Sequence, residues 1–218
     1  MRTEPALDQR AAAARALLDD LPKLHDFGRG REVGGLNKHI GERIIAEVSR
    51  HDAPRIVETG AGASTLLLLC LEPQSLTSIA PDFGLHERIL AEAGERKIPV
   101  DRLEFLNEQS ELALPRLFAL GKRFDVGLID GCHNWPAVFV DFCYINMVMP
   151  AGGTLFIDDV QLYSVKQLYL LLSEQPEYEH VALDGKFATF RKVLDCGFLP
   201  EWRSQPYIER NTVNPPSP

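Results

Sequence analysis

From Arg55 to Ala188 the chain alternates short, almost unbroken apolar runs with longer helical segments, and that alternation leaves few folds open. A strand with one wet face alternates apolar and polar residues, whereas an unbroken apolar run needs cover on both faces. Such runs lie at Arg55 to Glu58, Leu76 to Ile79, Leu103 to Leu106, Phe124 to Ile129 and Thr154 to Ile157. Between and after them, helical patterns occupy Ser64 to Leu71, His86 to Arg96, Ser110 to Leu120, Ala137 to Val148 and Leu162 to Glu174. Strict alternation of this kind predicts right-handed crossovers and a doubly wound, mostly parallel sheet with helices on both faces and any ligand at the carboxyl ends of the strands.

The pattern changes after Pro176. Tyr178 to Leu183 and Phe187 to Val193 read as two strands joined at Asp184-Gly185, a dipeptide that tolerates the positive φ of a tight hairpin. The expectation is therefore an α/β, Rossmann-like sheet of about seven strands that ends in an antiparallel hairpin. Upstream, Pro5 to Leu21 reads as a helix, Phe27 to Gly35 as a glycine-bearing loop, and Asn37 to Arg50 as a helix capped by Asn37. This divides the chain into an N-terminal helix and loop (residues 1–35), one domain (36–195) and an irregular, proline-rich arm (196–218).

Composition narrows the partners. The chain has 218 residues, 45% of them hydrophobic and 25% charged, enough for one buried core. With 31 acidic against 23 basic side chains the formal charge is −8, which disfavours nucleic acid and anionic lipid and favours a small-molecule substrate. No run has the length of a signal peptide or a membrane span, and four scattered cysteines form no CxxC pair, so a reducing, cytoplasmic setting is expected.

The first strand, Arg-Ile-Val-Glu, passes at once into Thr59-Gly60-Ala61-Gly62-Ala63-Ser64-Thr65 and a leucine-rich helix. Gly60 and Gly62 allow a sharp turn and let a ligand approach the helix amino terminus without a Cβ in the way. A dinucleotide turn would carry a third glycine where Ser64 stands and an acid where Ala80 stands. Glu58 instead suits a ligand bearing an ammonium group, reached directly or through water.

A second concentration of polar groups lies at the ends of the fourth and fifth strands. Asp130 is followed by Gly-Cys-His-Asn-Trp-Pro, and the fifth strand ends in Asp158-Asp159. Three carboxylates at one sheet edge repel unless a cation or protons offset them, and oxygen ligands of this kind suit Mg²⁺ or another divalent ion. A second reading has Asp158 and Asp159 cap the helix near Gln161 while Asp130 positions a turn. His133, three residues beyond Asp130, is the candidate general base. Trp135 and Pro136 could wall the substrate or simply open the next helix.

With these residues in place the chain resembles the class I S-adenosylmethionine-dependent methyltransferases, in particular the bacterial branch labelled type 24, and is more distantly similar to metal-dependent O-methyltransferases of the catechol kind. The resemblance spans roughly residues 35 to 195 and rests on Glu58 to Thr65, Ser78 to Asp82, Ser110 to Leu117 and Asp130 to Asp159. It implies that Glu58, Gly60, Gly62, Ser64 and Thr65 surround the methionine part of the cofactor and that Ser110 lies by the adenine, or else caps its helix. The usual ribose acid would fall at Ala80, which leaves Asp82 as its substitute. It further implies Asp130 and Asp158 as metal ligands, with Asp159 where relatives carry asparagine, and Asp130 beside the sulfonium. The expected activity is methylation of a small-molecule hydroxyl. A metal-independent N- or C-methyltransferase, a catalytically inactive cofactor-binding subunit and a homodimer stay open.

Overall fold

In the computed structural model, residues 4–21, 24–26, 31–33 and 36–213 are described. Helix α1 (Glu4–Leu18) precedes two three-residue strands, β1 (Leu24–Asp26) and β2 (Arg31–Val33), which pair antiparallel. The segment read as a glycine-bearing loop thus contributes β2 to a small sheet. Three residues are too few for a period-of-two pattern to register. Its other positions, 27–30 and 34–35, lie outside the described residues.

Helix α2 (Lys38–Val48) begins at the predicted cap, where the Asn37 side chain accepts from the His39 amide at 2.8 Å. The main sheet then follows as β3 (Arg55–Thr59), α3 (Ala63–Cys70), β4 (Ser75–Ile79), α4 (Phe83–Glu95), β5 (Leu103–Leu106), α5 (Ser110–Ala119), β6 (Val126–Ile129), α6 (Ala137–Val148), β7 (Thr154–Ile157), α7 (Tyr163–Glu174), β8 (Tyr178–Asp184) and β9 (Phe187–Lys192). Its strand order is β5-β4-β3-β6-β7-β9-β8, parallel except at β9, which runs antiparallel to both neighbours. The expected seven-stranded α/β sheet with its terminal hairpin is what the chain forms.

The unbroken apolar runs have a direct cause. Along β3, Ile56 packs with α1, α2 and α3 on one face while its neighbour Val57 packs with α5, α6 and α7 on the other. Leu155, Phe156 and Ile157 of β7 alternate between the same two cores. At the inner strands both faces are dry, and β6 and β7 are buried at every position.

Chain direction reverses at β3. The first crossovers build outward through β4 to β5, and the next returns to β6 on the other side, so a crevice opens between the carboxyl ends of β3 and β6.

Beyond Asp195 the chain departs from the irregular arm expected. A 3₁₀ turn (Trp202–Ser204) leads into α8 (Pro206–Asn211), with Pro206 in the first helical turn where its missing N–H costs nothing. Tyr207 and Ile208 of α8 pack against the core, and the Tyr207 hydroxyl bonds Gln167 of α7 at 2.8 Å. Apolar docking onto α7 outweighs the weak local signal. The Pro-Pro-Ser-Pro end lies outside the described residues.

Candidate functional site

The glycine turn sits at the carboxyl end of β3, beside the crevice. Gly60 adopts φ +89°, and a Cβ there would lie 2.3 Å from the Asp130 carbonyl oxygen. This glycine is thus required by the close approach of β3 and β6 backbones as well as by its dihedral, and the obstacle a side chain would meet is the Asp130 carbonyl rather than a ligand. Gly62 caps α3: its amide donates to Thr65 Oγ1 at 3.0 Å.

Glu58 lies beneath this turn, 1% exposed. Its carboxylate accepts from Ser64 (3.0 Å) and Thr65 (2.5 Å) of α3 and from Ser78 (2.5 Å) of β4. Burial pushes its pKa up to about 6 against the opposing pull of the three hydroxyls. Glu58, Ser64 and Thr65 therefore come together as expected, and Glu58 is already satisfied by hydroxyls that bind the turn to two elements.

Asp82 caps α4, accepting from the Leu85 amide at 2.9 Å, and its second oxygen lies 3.8 Å from Arg88. Helix α4 consequently starts at Phe83 and not at His86. Ser110 is the first residue of α5, whose cap is Gln109, so the N-cap reading of Ser110 fails by one position. Ser110 is buried, and beside it lies a group that the sequence reading passed over: Asp141, 0% exposed, on the inner face of α6. Burial raises the Asp141 pKa to about 6, the Ser110 and Thr59 hydroxyls opposing, yet neither of its oxygens reaches full hydrogen-bond geometry with a partner. The signal was available, since Asp141 is the only charged residue in the run Ala137–Val148.

The acidic edge gathers Asp130, His133, Asp158 and Asp159. Backbone bonds from Asp130 to Thr59 (2.9 Å) and from Asp158 to Ile129 (3.0 Å) extend the sheet past its strands and align their ends. The Asp130 side chain is 36% exposed. It is nonetheless crowded within a concave edge, and desolvation, followed by the repulsion of Asp158, raises its pKa well above the ordinary carboxylate value. His133 stands between acids, Nε2 at 3.8 Å from Asp130 and Nδ1 at 3.7 Å from Asp159. Nε2 is buried and has no hydrogen-bond partner among the described residues. Ser164 Oγ donates to the His133 carbonyl and ties this loop to α7.

The trio Asp130, Asp158 and Asp159 does not stand ready for a metal. Lys186, in the β8–β9 turn, donates to Asp158 at 3.1 Å and to Asp159 at 2.7 Å, and the other Asp158 oxygen accepts from the Asp159 amide at 2.8 Å. Burial alone would raise the Asp159 pKa, but the Lys186 and Gln161 bonds outweigh it and hold it below the ordinary value. The ligand atoms that converge, within 4.8 Å of one another, belong to Asp130, His133 and Asp159. The sequence reading thus placed His133 correctly at the acids but missed Lys186, whose side chain, with Asp130, Asp158, Ser64 and Ile40, lines a cavity of about 80 Å³ under α2.

A seven-stranded sheet of this order, with a glycine turn at its switch point and polar groups facing it, defines the class I methyltransferase architecture. Residues 57–160 match the family model described as a methyltransferase domain, so the chain carries a methyltransferase domain over that segment. Its fold is similar to that of the O-methyltransferase TomG from Streptomyces achromogenes, involved in tomaymycin synthesis and solved with S-adenosylmethionine: 19% identity, 88% of this chain and 91% of that one, TM-score 0.61. An O-methyltransferase from Bacillus cereus in complex with S-adenosylhomocysteine matches at 16% identity over 88% and 93% of the two chains, TM-score 0.60. An rRNA methylase from Streptococcus thermophilus matches at 12% identity over 73% and 99%, TM-score 0.56. No curated protein matches the sequence significantly. Among the described residues no helix is long and apolar enough to cross a membrane.

Proposed function

We propose that the chain uses S-adenosylmethionine to methylate a hydroxyl of a small molecule. The observation that carries this reading is the pairing, across one crevice, of the Gly60–Thr65 turn with the Asp130–His133 loop, whose buried imidazole nitrogen has no partner. The fold shared with O-methyltransferases holding this donor or its product supports it. The rRNA methylase shares the fold too, but a formal charge of −8 opposes RNA phosphates and favours a small acceptor.

In the proposed step the acceptor oxygen attacks the sulfonium methyl. The C–O bond forms, the C–S bond breaks, and its electron pair stays on sulfur. A tautomer with its proton on Nδ1, facing Asp159, leaves Nε2 of His133 free to take the hydroxyl proton. The donor is activated in itself, so holding the two reactants in line supplies most of the rate. Trp135, 72% exposed beside His133, is placed to flank the acceptor. Asp82 keeps one oxygen for the ribose hydroxyls once its cap bond is made. A metal-assisted variant would draw on Asp130, His133 and Asp159, where a divalent ion would lower the hydroxyl's pKa.

Thermal shift decides the cofactor class. At about 100 times its Kd a ligand adds about 2.7 kcal/mol, a rise of roughly 5–10 °C for a chain of this size. S-adenosylhomocysteine should give that rise and NAD none. The reverse result overturns the proposal.

A further inference from the structure

Three carboxylates at one strand edge need an offsetting positive charge, and the chain supplies one from a place far along the sequence. Strand β9 pairs with β7 so that Ala188 faces Ile157. Carrying that antiparallel register two residues further opposes Lys186 to Asp159, and the Val160 amide bonds the Lys186 carbonyl at 3.0 Å. The turn is also held from its other side, where Asp184 accepts from Arg43 at 2.7 Å and lies 2.8 Å from His39 Nε2, both residues of α2. Lys186, its side chain 46% exposed, is therefore positioned by backbone register and by a clamp two residues before it. Its ammonium lies 2.7 Å from Asp159 and 3.1 Å from Asp158.

We propose that Lys186 is the resident cation of the acidic edge, a positioning residue that occupies the place of a divalent ion between Asp158 and Asp159 and thereby excludes one. An ammonium at these distances offers its donors to two carboxylates, while a metal there would have to displace it from an Asp159 oxygen that already accepts from Gln161 as well. Sulfonium and ammonium together bring two positive charges to an edge of three acids, so one bound proton completes the balance with no metal. This last consequence rests on the methyltransferase reading. Exclusion of the ion does not.

The test is a Mn²⁺ titration of the full chain, followed by the paramagnetic resonance signal of free Mn²⁺ with S-adenosylhomocysteine present and absent. It needs no turnover, so a failure of the methyltransferase reading would show separately as a lack of S-adenosylhomocysteine binding. The natural chain and Lys186→Arg should bind Mn²⁺ no more tightly than about 1 mM, the weak range for sites without a preformed oxygen cage. Lys186→Met, which keeps the stem and removes the charge, should gain one site at least about tenfold tighter, a difference of one charge interaction. Adding Asp159→Asn to Lys186→Met should abolish that site. Tight Mn²⁺ binding by the natural chain that disappears in Asp159→Asn overturns the proposal, as does a folded Lys186→Met with no gain.

Discussion

Replacing Asp141 by asparagine should make this protein more stable at neutral pH, although it alters a fully buried residue. Asp141 has its pKa raised from 3.8 to about 6 by burial, and neither oxygen has a full hydrogen-bond partner. At about 1.36 kcal/mol per pH unit, that separation makes its ionised form at pH 7 cost about 3 kcal/mol. Because the folded-state pKa lies above the unfolded one, the stability Asp141 allows is fully present below pH 3.8 and is lost as the pH climbs through about 6. The asparagine carries no charge, but its amide brings donors that the site does not receive, a cost of about 1–2 kcal/mol. The net gain is roughly 1–2 kcal/mol, or about 3–6 °C in melting temperature for a chain of this size. The assay is thermal unfolding of both proteins from pH 4.5 to 7.5, read as the difference curve, since Glu58 and Asp130 are raised too and leave their own slope in both. The difference should grow with pH and level off above about 7. A flat difference, or a variant less stable at pH 7.5, would refute the view of Asp141 as an uncompensated buried acid.

Two further outcomes follow from the turn and the cap. Gly60→Ala should cost at least about 3 kcal/mol, from left-handed strain and a Cβ 2.3 Å from the Asp130 carbonyl, whereas Gly121→Ala, at φ +69° in open space, should cost only about 1; denaturant melts separate the two, and equal losses would remove the backbone contact from the argument. Asp82→Ala should lose about 1 kcal/mol of cap energy and weaken S-adenosylhomocysteine about tenfold by calorimetry, while Asp82→Asn keeps the cap and loses the affinity alone. Unchanged affinity in both would leave Asp82 a cap and nothing more.

What the sequence disclosed about the fold is what short-range pattern can carry. Nearly continuous apolar runs marked the parallel strands, the inner ones of which feed two cores at once, and Asp184-Gly185 marked the hairpin because few residues accept the φ of +66° found at Gly185. Strands β1 and β2 escaped because three residues carry no period. Helix α8 escaped because its stability comes from Tyr207 and Ile208 against α7, a contact about forty residues away in sequence that composition cannot express.

The site divides along the same line. The Gly60–Thr65 turn was legible because strand, turn and helix are contiguous, and the convergence of Asp130, Asp158 and Asp159 followed from strand ends alone. How their charge is offset was not. The argument from repulsion required a cation without naming it, and a metal is the choice when only residues near the acids are weighed. The ammonium that answers it belongs to Lys186, brought opposite Asp159 by the pairing of β9 with β7, a register set by Phe190 and Ala188 packing inside the sheet. Asp141 makes the complementary case. Its lone charge in an apolar helix was visible, but only the approach of α6 to Ser110 and Thr59 gives that charge a burial cost, and with it a measurable effect on stability.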